Sequence, residues 1–179
     1  MAKSYVLIVN ESGTEDSVIS SLNTIPSITD VYGTFGSYDL LTKLESDSEQ
    51  DIQDDISKKI RKTSNIKSTL TLLVDKKPGF SKTNKIEQEV LDNHTAQAFI
   101  TIHCKKSDES KVMENLNAIP EVVEADMLVG NYEIICKISA PTYNDISETV
   151  SKKIRKIPEI KATTTVNVVS NQGFSRKMK

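Results

Sequence analysis

The hexapeptide SKKIRK occurs twice in this chain, at residues 57–62 and again at residues 151–156. Each copy places four cationic side chains around a single isoleucine. Such a segment suits either a contact with nucleic acid or the solvated face of an amphipathic helix. The spacing between the copies offers a way to decide, because sliding the chain over itself by that spacing tests whether the similarity extends beyond the hexapeptide.

The similarity does extend, and it needs no gap. The matching segments are Ile25-Pro26 with Ile119-Pro120, Gly36-x-Tyr38 with Gly130-x-Tyr132, Asp51-Ile52 with Asp145-Ile146, and Gly79-Phe80-Ser81 with Gly173-Phe174-Ser175. The chain is therefore a tandem duplication, and each copy is long enough to be a small domain. We expect a first domain at 1–82, a second at 97–179, and a polar linker at 83–96 that is either a short helix or irregular.

Apolar residues change their period in the same order in both copies. A β-branched segment, YVLIVN or FITIHC, is followed by a helical stripe that ends at Ile-Pro, and then by two strands joined at Gly36 or Gly130. A second helix ends in SKKIRK, and a last strand, KSTLTLLV or KATTTVNVV, closes the copy. The order βαββαβ predicts an α+β fold, with two tandem ferredoxin-like units that each place both helices on one face of an antiparallel sheet.

Charge favours the structural interpretation of SKKIRK. The chain has 23 Lys and Arg against 25 Asp and Glu, so it has no global positive field to hold a polyanion. On the second helix the isoleucine points to the core, and the cations complement the negative end of the helix dipole. The basic ends of the copies, Lys82 and Lys85 and then Arg176, Lys177 and Lys179, are expected to be solvated.

Alternation along the strands predicts which sheet face meets the helices. We expect Val6, Ile8, Leu70 and Leu72 to lie under the helices of the first copy, with Ile100, Ile102, Val166 and Val168 in the second. The opposite face then carries Tyr5 and Leu7, or Phe99 and Thr101, and is too apolar to be left bare. We predict that the two sheets pack face to face as an intramolecular pseudo-dimer.

The sequence has no apolar run long enough for a bilayer and no secretory signal, so a cytoplasmic protein without a membrane partner is expected. Its two cysteines, Cys104 and Cys136, form no C-x-x-C pair and suit a reducing compartment. Cys136 shares the apolar parity of its strand and is expected to be a core thiol. No cofactor is expected.

The combined pattern resembles the ligand-binding (RAM) domain of the Lrp/AsnC feast/famine regulators, in two tandem copies. The resemblance is carried by Ile-Pro at the end of the first helix, Gly-x-Tyr-Asp/Glu before the third strand, and Thr-x-Thr on the last strand. It implies an amino-acid-like effector, a homo-oligomer or association with other Lrp/AsnC-type proteins, and a role in transcriptional or metabolic regulation. Because the first strand begins by Tyr5, we expect no helix-turn-helix domain and no sequence-specific DNA binding.

The resemblance also implies the effector contacts. In the first copy these are Gly36, Tyr38, Asp39, Thr69 and Thr71, and in the second Gly130, Tyr132, Glu133, Thr163 and Thr165. A carboxylate can pair with an ammonium and hydroxyls can donate or accept, although each residue also has a purely structural interpretation in a turn, core or strand. We expect His103, Glu133 and Thr163 to meet on the open sheet face, where His103 and Glu133 form a polar pair, a pH-sensitive spot or, less favoured, a metal site.

Three classes of function remain open at this stage. The favoured class is an effector-sensing module that acts through protein–protein assembly. The alternatives are a pure oligomerisation or adaptor protein with vestigial clefts, and an enzyme of the dimeric α+β-barrel type. With two histidines, no nucleophile beside a base and no metal-ligand cluster, the sequence predicts that the chain is not an enzyme.

Overall fold

The computed structural model describes residues 1–82, 95–130 and 132–176. The chain divides into two compact units. Unit 1 contains Met1–Val74 together with Val169–Lys179, and unit 2 contains Asp75–Val168. The predicted linker helix falls on residues outside the described ranges, except for its last two positions.

Unit 1 has the predicted order of elements. They are β1 (Ala2–Asn10), α1 (Glu15–Leu22), β2 (Ile28–Phe35), β3 (Leu40–Ser46), α2 (Glu49–Asp54) continued by a π-helical turn (Asp55–Ile60), and β4 (Ile66–Val74). Ser48 caps α2, because its side chain accepts the backbone N–H of Asp51. The antiparallel sheet runs in the order β4-β1-β3-β2 and is extended by the end of the last strand of the chain.

Unit 2 repeats this order. Its elements are β5 (Phe80–Ser81), β6 (Ala96–Cys104), a short 3₁₀ turn (Lys106–Asp108), α3 (Glu109–Asn117), β7 (Val122–Val129), β8 (Ile134–Ala140), α4 (Tyr143–Thr149) continued by a π-helical turn (Val150–Ile154), and β9 (Ile160–Ser175). Thr142 and Asp145 form a capping box at the start of α4. The sheet order is β9-β6-β8-β7-β5.

The SKKIRK isoleucines lie in the cores, as the helical stripe predicts. Ile60 and Ile154 are fully buried against the inner sheet face of their units. In both copies the helix ends in a wider turn, where the N–H of Arg61 or Arg155 donates to the carbonyl five residues earlier, at 3.0 and 2.9 Å. These π-helical turns rotate the end of SKKIRK relative to an ordinary α-helix.

The predicted faces of the last strands are wrong. Thr71 pairs with Val6 and Thr69 with Ile8, so the threonines share the helix-side face, while Leu70 and Leu72 pair with Leu7 and Tyr5 on the other side. In unit 2, Thr165 pairs with Ile100 and Val166 pairs with Phe99. Both parities of β4 contain apolar residues, and a shift of one residue exchanges the faces, so the pattern alone could not choose between them.

Each compact unit is completed by the end of the other sequence repeat. In unit 1, the N–H of Arg176 donates to the Thr29 carbonyl at 2.7 Å, and Phe174 packs on the core. The expectation that Arg176 is solvated is wrong, because its guanidinium donates to the carbonyls of Ile25 and Ile28, both at 3.1 Å. The sequence did not predict these hydrogen bonds, because a charged residue at a chain end is ordinarily hydrated.

Unit 2 holds the end of the first repeat in the same way. The N–H of Lys82 donates to the Val123 carbonyl at 2.7 Å, and its ammonium donates to the Ile119 carbonyl at 2.9 Å. Phe80 pairs with Ala125 and packs on the core. Lys82 is therefore not a solvated end either, and burial lowers the pKa of its ammonium. The predicted Lys85, Lys177 and Lys179 lie outside the described residues.

The fold is the predicted α+β arrangement with two tandem ferredoxin-like units. The sheet face opposite the helices is buried in both, since Tyr5 and Phe99 are each 1% exposed. The face-to-face packing of the sheets stays a prediction, as do the domain boundaries 1–82 and 97–179. Among the described residues, no helix is long and apolar enough to cross a membrane.

Candidate functional site

The two loop carboxylates contact the end of the first strand of their unit. Asp39 Oδ2 accepts the N–H of Asn10 at 2.9 Å, and Glu133 Oε2 accepts the N–H of Cys104 at 3.2 Å. Both amides lie where the first strand shifts its register against the last strand. Because such an irregularity leaves a backbone N–H without a ladder partner, each carboxylate satisfies a donor that the sheet cannot.

The hairpin glycines are required by backbone conformation. Gly36 has φ +115° and Gly130 has φ +120°, and a Cβ at either position would meet open space. Only glycine adopts such a φ without strain. The loop of unit 1 is closed by Thr34, whose N–H donates to the Asp39 carbonyl at 2.8 Å and whose hydroxyl donates to the Tyr38 carbonyl at 2.9 Å.

The structure brings part of the predicted set together. The N–H of Asp39 donates to the Ile8 carbonyl at 2.8 Å, and Thr69 pairs with Ile8 from the other side. In unit 2, Glu133 and Thr163 flank Ile102 in the same way. The second threonines lie further along the strands, opposite Val6 for Thr71 and Ile100 for Thr165.

A polar cluster is specific to unit 2. His103 Nδ1 lies 3.3 Å from Glu133 Oε2, and its ring lies 4.4 Å from the ring of Tyr132. The predicted pair of His103 and Glu133 therefore forms. Thr163 lies on the opposite face of the sheet, because it pairs with Ile102 and not with His103. In the described part of the chain, no group of three or more His, Cys, Asp or Glu side chains could hold a metal ion.

Neither cysteine is a reactive thiol. Cys136 belongs to the unit 2 core, as predicted, and burial raises its pKa to about 12. Burial, followed by the negative charges of Glu133, Glu109 and Asp108, raises the pKa of Cys104 to about 11. Because the thiolate is the nucleophile, these thiols are protonated and unreactive at neutral pH.

The sequence did not predict the burial of the Glu109 carboxylate at the start of α3. Glu109 is 2% exposed, and its carboxylate lies 2.6 Å from the ammonium of Lys106 and 4.0 Å from that of Lys77. The hydrogen bond to Glu109 raises the pKa of Lys106. An acidic residue in the first turn of a helix usually faces water, so the sequence carried no signal for its burial.

Four of the six SKKIRK lysines pair with carboxylates. Lys58 pairs with Asp54 at 3.3 Å and Lys152 pairs with Glu148 at 3.5 Å, one helical turn away in each case. Lys59 pairs with Asp55 at 2.7 Å, whereas Lys153 pairs with Glu121 at 2.6 Å. These pairs support the structural interpretation of the hexapeptide, since these four lysines already have partners within the fold.

The arginines of SKKIRK differ between the units. Arg155 Nε donates to the hydroxyl of Thr163 at 3.0 Å. It lines a groove of about 350 Å³ between α4 and β9 that also contains Thr165 and Asn167. Arg155 was not predicted as a site residue, because the alternation of residues along the strand had placed Thr163 and Thr165 on the opposite face.

Two solved structures share the fold over nearly the whole chain. The siroheme decarboxylase NirDL has a TM-score of 0.69 and 11% identity, over 97% of this chain and 72% of that one. An anthrone oxidase-like protein has a TM-score of 0.60 and 8% identity, over 97% and 92%. The prediction that the chain is not an enzyme is therefore wrong as an exclusion, because proteins named as enzymes have this same architecture. At such identities the likeness shows the fold alone.

Sequence comparison agrees with the geometry of the two units. The model of the Lrp/AsnC ligand-binding domain matches residues 4–81 and again residues 97–175. The regulatory protein AsnC of Haemophilus influenzae is 30% identical over 114 residues, which cover 63% of this chain and 67% of that protein. With both repeats matched over nearly their full length, this chain belongs to the Lrp/AsnC family and contains its ligand-binding domain twice.

Proposed function

We propose that this chain is an effector-sensing regulatory module that binds an amino-acid-like small molecule. The observation that carries the proposal is the presence of the Lrp/AsnC ligand-binding domain in both repeats, at 4–81 and 97–175. The similarity to a protein named as a regulator supports the regulatory role. The output is a change in protein–protein assembly, either with further copies of this chain or with other Lrp/AsnC-type proteins.

The ligand-binding residues of the proposal are the loop and strand residues of each unit. In unit 1 one oxygen of Asp39 is occupied by the N–H of Asn10. The second oxygen can accept from the ammonium of an amino acid, and a charge-assisted bond of this kind is stronger than a neutral one. Gly36 and Tyr38 form the loop beside it, whereas Thr69 and Thr71, the other residues of the predicted set, lie on the helix-side face of the sheet. The matching residues of unit 2 are Gly130, Tyr132, Glu133, Thr163 and Thr165.

The two sites are not equivalent in this proposal. Glu133 is one methylene longer than Asp39, and its Oε2 contacts both the Cys104 amide and His103. Val9 occupies the position of His103 in unit 1. The carboxylate of unit 2 is thus more fully committed to protein groups, and we expect it to bind an ammonium less tightly.

The test is a thermal-shift panel of the proteinogenic amino acids, followed by titration calorimetry with any ligand that raises the melting temperature. Asp39→Ala and Glu133→Ala are expected to weaken binding unequally, and the larger loss is about 1–3 kcal/mol. Asp16→Ala is the matched control, since this carboxylate is exposed on α1. A panel without any stabilising ligand would contradict the proposal.

A second candidate function is catalysis, and the His103–Glu133 pair beside Tyr132 is the observation that favours it. A histidine oriented by a carboxylate is a suitable acid, base or axial ligand. Iron uroporphyrin III is the probe to use, because the solved siroheme decarboxylase carries an analogue of that compound. A saturable absorbance shift that is lost in His103→Val would favour catalysis over sensing. Failure of both tests would leave the adaptor role.

A further inference from the structure

The groove beside Arg155 has the composition of an anion site. It lies on the helix side of unit 2, with a volume of about 350 Å³, and its polar lining comes from Arg155, Thr165, Asn167, Ser147 and Ser151. Ile146 and Val150 are the apolar residues of the lining. Small-molecule sites commonly combine an apolar surface with a few convergent polar groups.

The guanidinium of Arg155 is oriented without being neutralised. Its Nε donates to the Thr163 hydroxyl at 3.0 Å, which directs the head group toward β9. Among the described residues no carboxylate forms an ion pair with it, whereas the neighbouring Lys152 and Lys153 are paired with Glu148 and Glu121. An arginine stays charged at any physiological pH, and its remaining four N–H donors form a fork that matches a carboxylate.

The backbone explains why Arg155 reaches this place. The π-helical turn ends with the Arg155 N–H on the carbonyl of Val150, so the arginine is rotated relative to an ordinary helix. The register of β9 puts Thr163 and Thr165 on the helix-side face, opposite Ile102 and Ile100. With the opposite register, Val166 and Val168 would stand near the positions of Thr165 and Asn167, and most of the polar lining of the groove would be lost.

Unit 1 lacks this arrangement although it has the same motif. Leu73 stands at the position of Asn167. In the described part of unit 1, no hydrogen bond joins Arg61 to Thr69, and the hydroxyl of Thr71 is buried without a partner. The polar lining and the oriented guanidinium are thus properties of unit 2.

We propose that the groove between α4 and β9 binds the carboxylate of a small anion through the Nη donors of Arg155, with Thr165 and Asn167 as secondary contacts. This inference rests on the proposed function in one respect, since Thr165 belongs to the proposed effector-binding set. It adds the chemical group that the ligand must carry and the residue that recognises it.

The experiment follows the Arg155 Nε–H signal by NMR during titration with acetate, succinate, glycine and inorganic phosphate at constant ionic strength. We expect a saturable shift with a carboxylate, and about tenfold or more weaker binding in Arg155→Gln, because a bidentate charge-assisted pair is lost. Arg155→Lys keeps the charge but not the fork, and should bind with intermediate affinity. Arg61→Gln is the matched control in unit 1 and should bind as the unchanged protein does.

The outcomes separate this inference from the proposed function. The inference is overturned by the absence of a saturable shift with all three carboxylates, by unchanged binding in Arg155→Gln, or by preferential binding of phosphate. Carboxylate binding at Arg155 without stabilisation by any amino acid would uphold the site and contradict effector sensing by amino acids. An amino-acid ligand that binds Arg155→Gln normally would uphold sensing and remove this site.

Discussion

The second lysine of SKKIRK is held differently in the two units. In unit 1, Lys59 pairs with Asp55 on its own helix, and Asp55 also accepts the N–H of Ser27 at 3.3 Å. In unit 2 the helix position is Thr149, and the carboxylate comes instead from Glu121, which stands where unit 1 has Ser27. The negative charge has thus moved from the helix to the loop before β7, while the ion pair persists.

In both units a groove beside the second helix is lined by this lysine and by the carboxylate that pairs with it, Asp55 in unit 1 and Glu121 in unit 2. Burial disfavours the charged form of both acids, but hydrogen bonds from Lys59 and Ser27 lower the pKa of Asp55. The hydrogen bond from Lys153 likewise lowers the pKa of Glu121. The aligned positions 27/121 and 55/149 differ in residue between the repeats, yet in each repeat one of the two supplies the carboxylate that pairs with the same lysine.

The largest expected effect distinguishes the ends of the two repeats, which contain Gly79 and Gly173. At Gly173 a Cβ would overlap the Val31 carbonyl oxygen and φ is +108°, whereas at Gly79 a Cβ would overlap the Ala125 carbonyl oxygen without a positive φ. Gly173→Ala should therefore lower the free energy of unfolding by about 2–4 kcal/mol, more than Gly79→Ala. Urea denaturation measures both. Gly36→Ala, with positive φ and open space, is the control for φ alone, and equal losses in all three would contradict the argument.

The next prediction transfers the arrangement of unit 2 into unit 1. Asp55→Ala should cost about 1–3 kcal/mol, because it leaves the Ser27 amide and the Lys59 ammonium without their acceptor. Adding the unit 2 residues as Ser27→Glu with Asp55→Thr should recover at least part of this loss. Chemical denaturation of the single and double variants gives the coupling energy. A double variant no more stable than Asp55→Ala would show that the two grooves are not interchangeable.

Acid pH should act on both grooves in the same direction. The pKa values of Asp55 and Glu121 are lowered from 3.8 and 4.5, so their contributions are fully present above those values and are lost as pH falls through the folded-state values. The free energy of unfolding should therefore decrease from about pH 5 downward. Asp55→Asn should flatten this acid limb when melts are compared across pH. An unchanged slope would place the acid sensitivity elsewhere.

The smallest expected effect concerns His103, which aligns with Val9 of unit 1. His103→Val installs the residue of unit 1 and removes the contact of the imidazole with Glu133, in which the histidine side chain is 40% exposed. Partly exposed pairs contribute little, so the change in unfolding free energy should stay below about 1 kcal/mol. Thermal denaturation at neutral pH checks this. A larger loss would mean that the stacking of His103 on Tyr132 is important for the fold.

The candidate site was predicted in part. Family motifs pointed to Asp39 and Glu133 as effector contacts, which stays a prediction. Their hydrogen bonds to the amides of Asn10 and Cys104 depend on an irregular register that alternation does not reveal. For the same reason, the threonines of the last strands were assigned to the wrong face of the sheet. Because β4 carries leucines on both parities, either face could have met the helices.

The sequence by itself determined the duplication, the βαββαβ order and the burial of the SKKIRK isoleucines, because helical and strand periods are local properties of the chain. Only the tertiary structure decided which face of the last strand meets the helices, and on which core the end of each repeat packs. Gly79-Phe80 and Gly173-Phe174 are the same local sequence, so nothing in it says which sheet each will extend. That choice, like the carboxylate that holds Lys59 or Lys153, depends on groups far apart in the chain that meet only after folding.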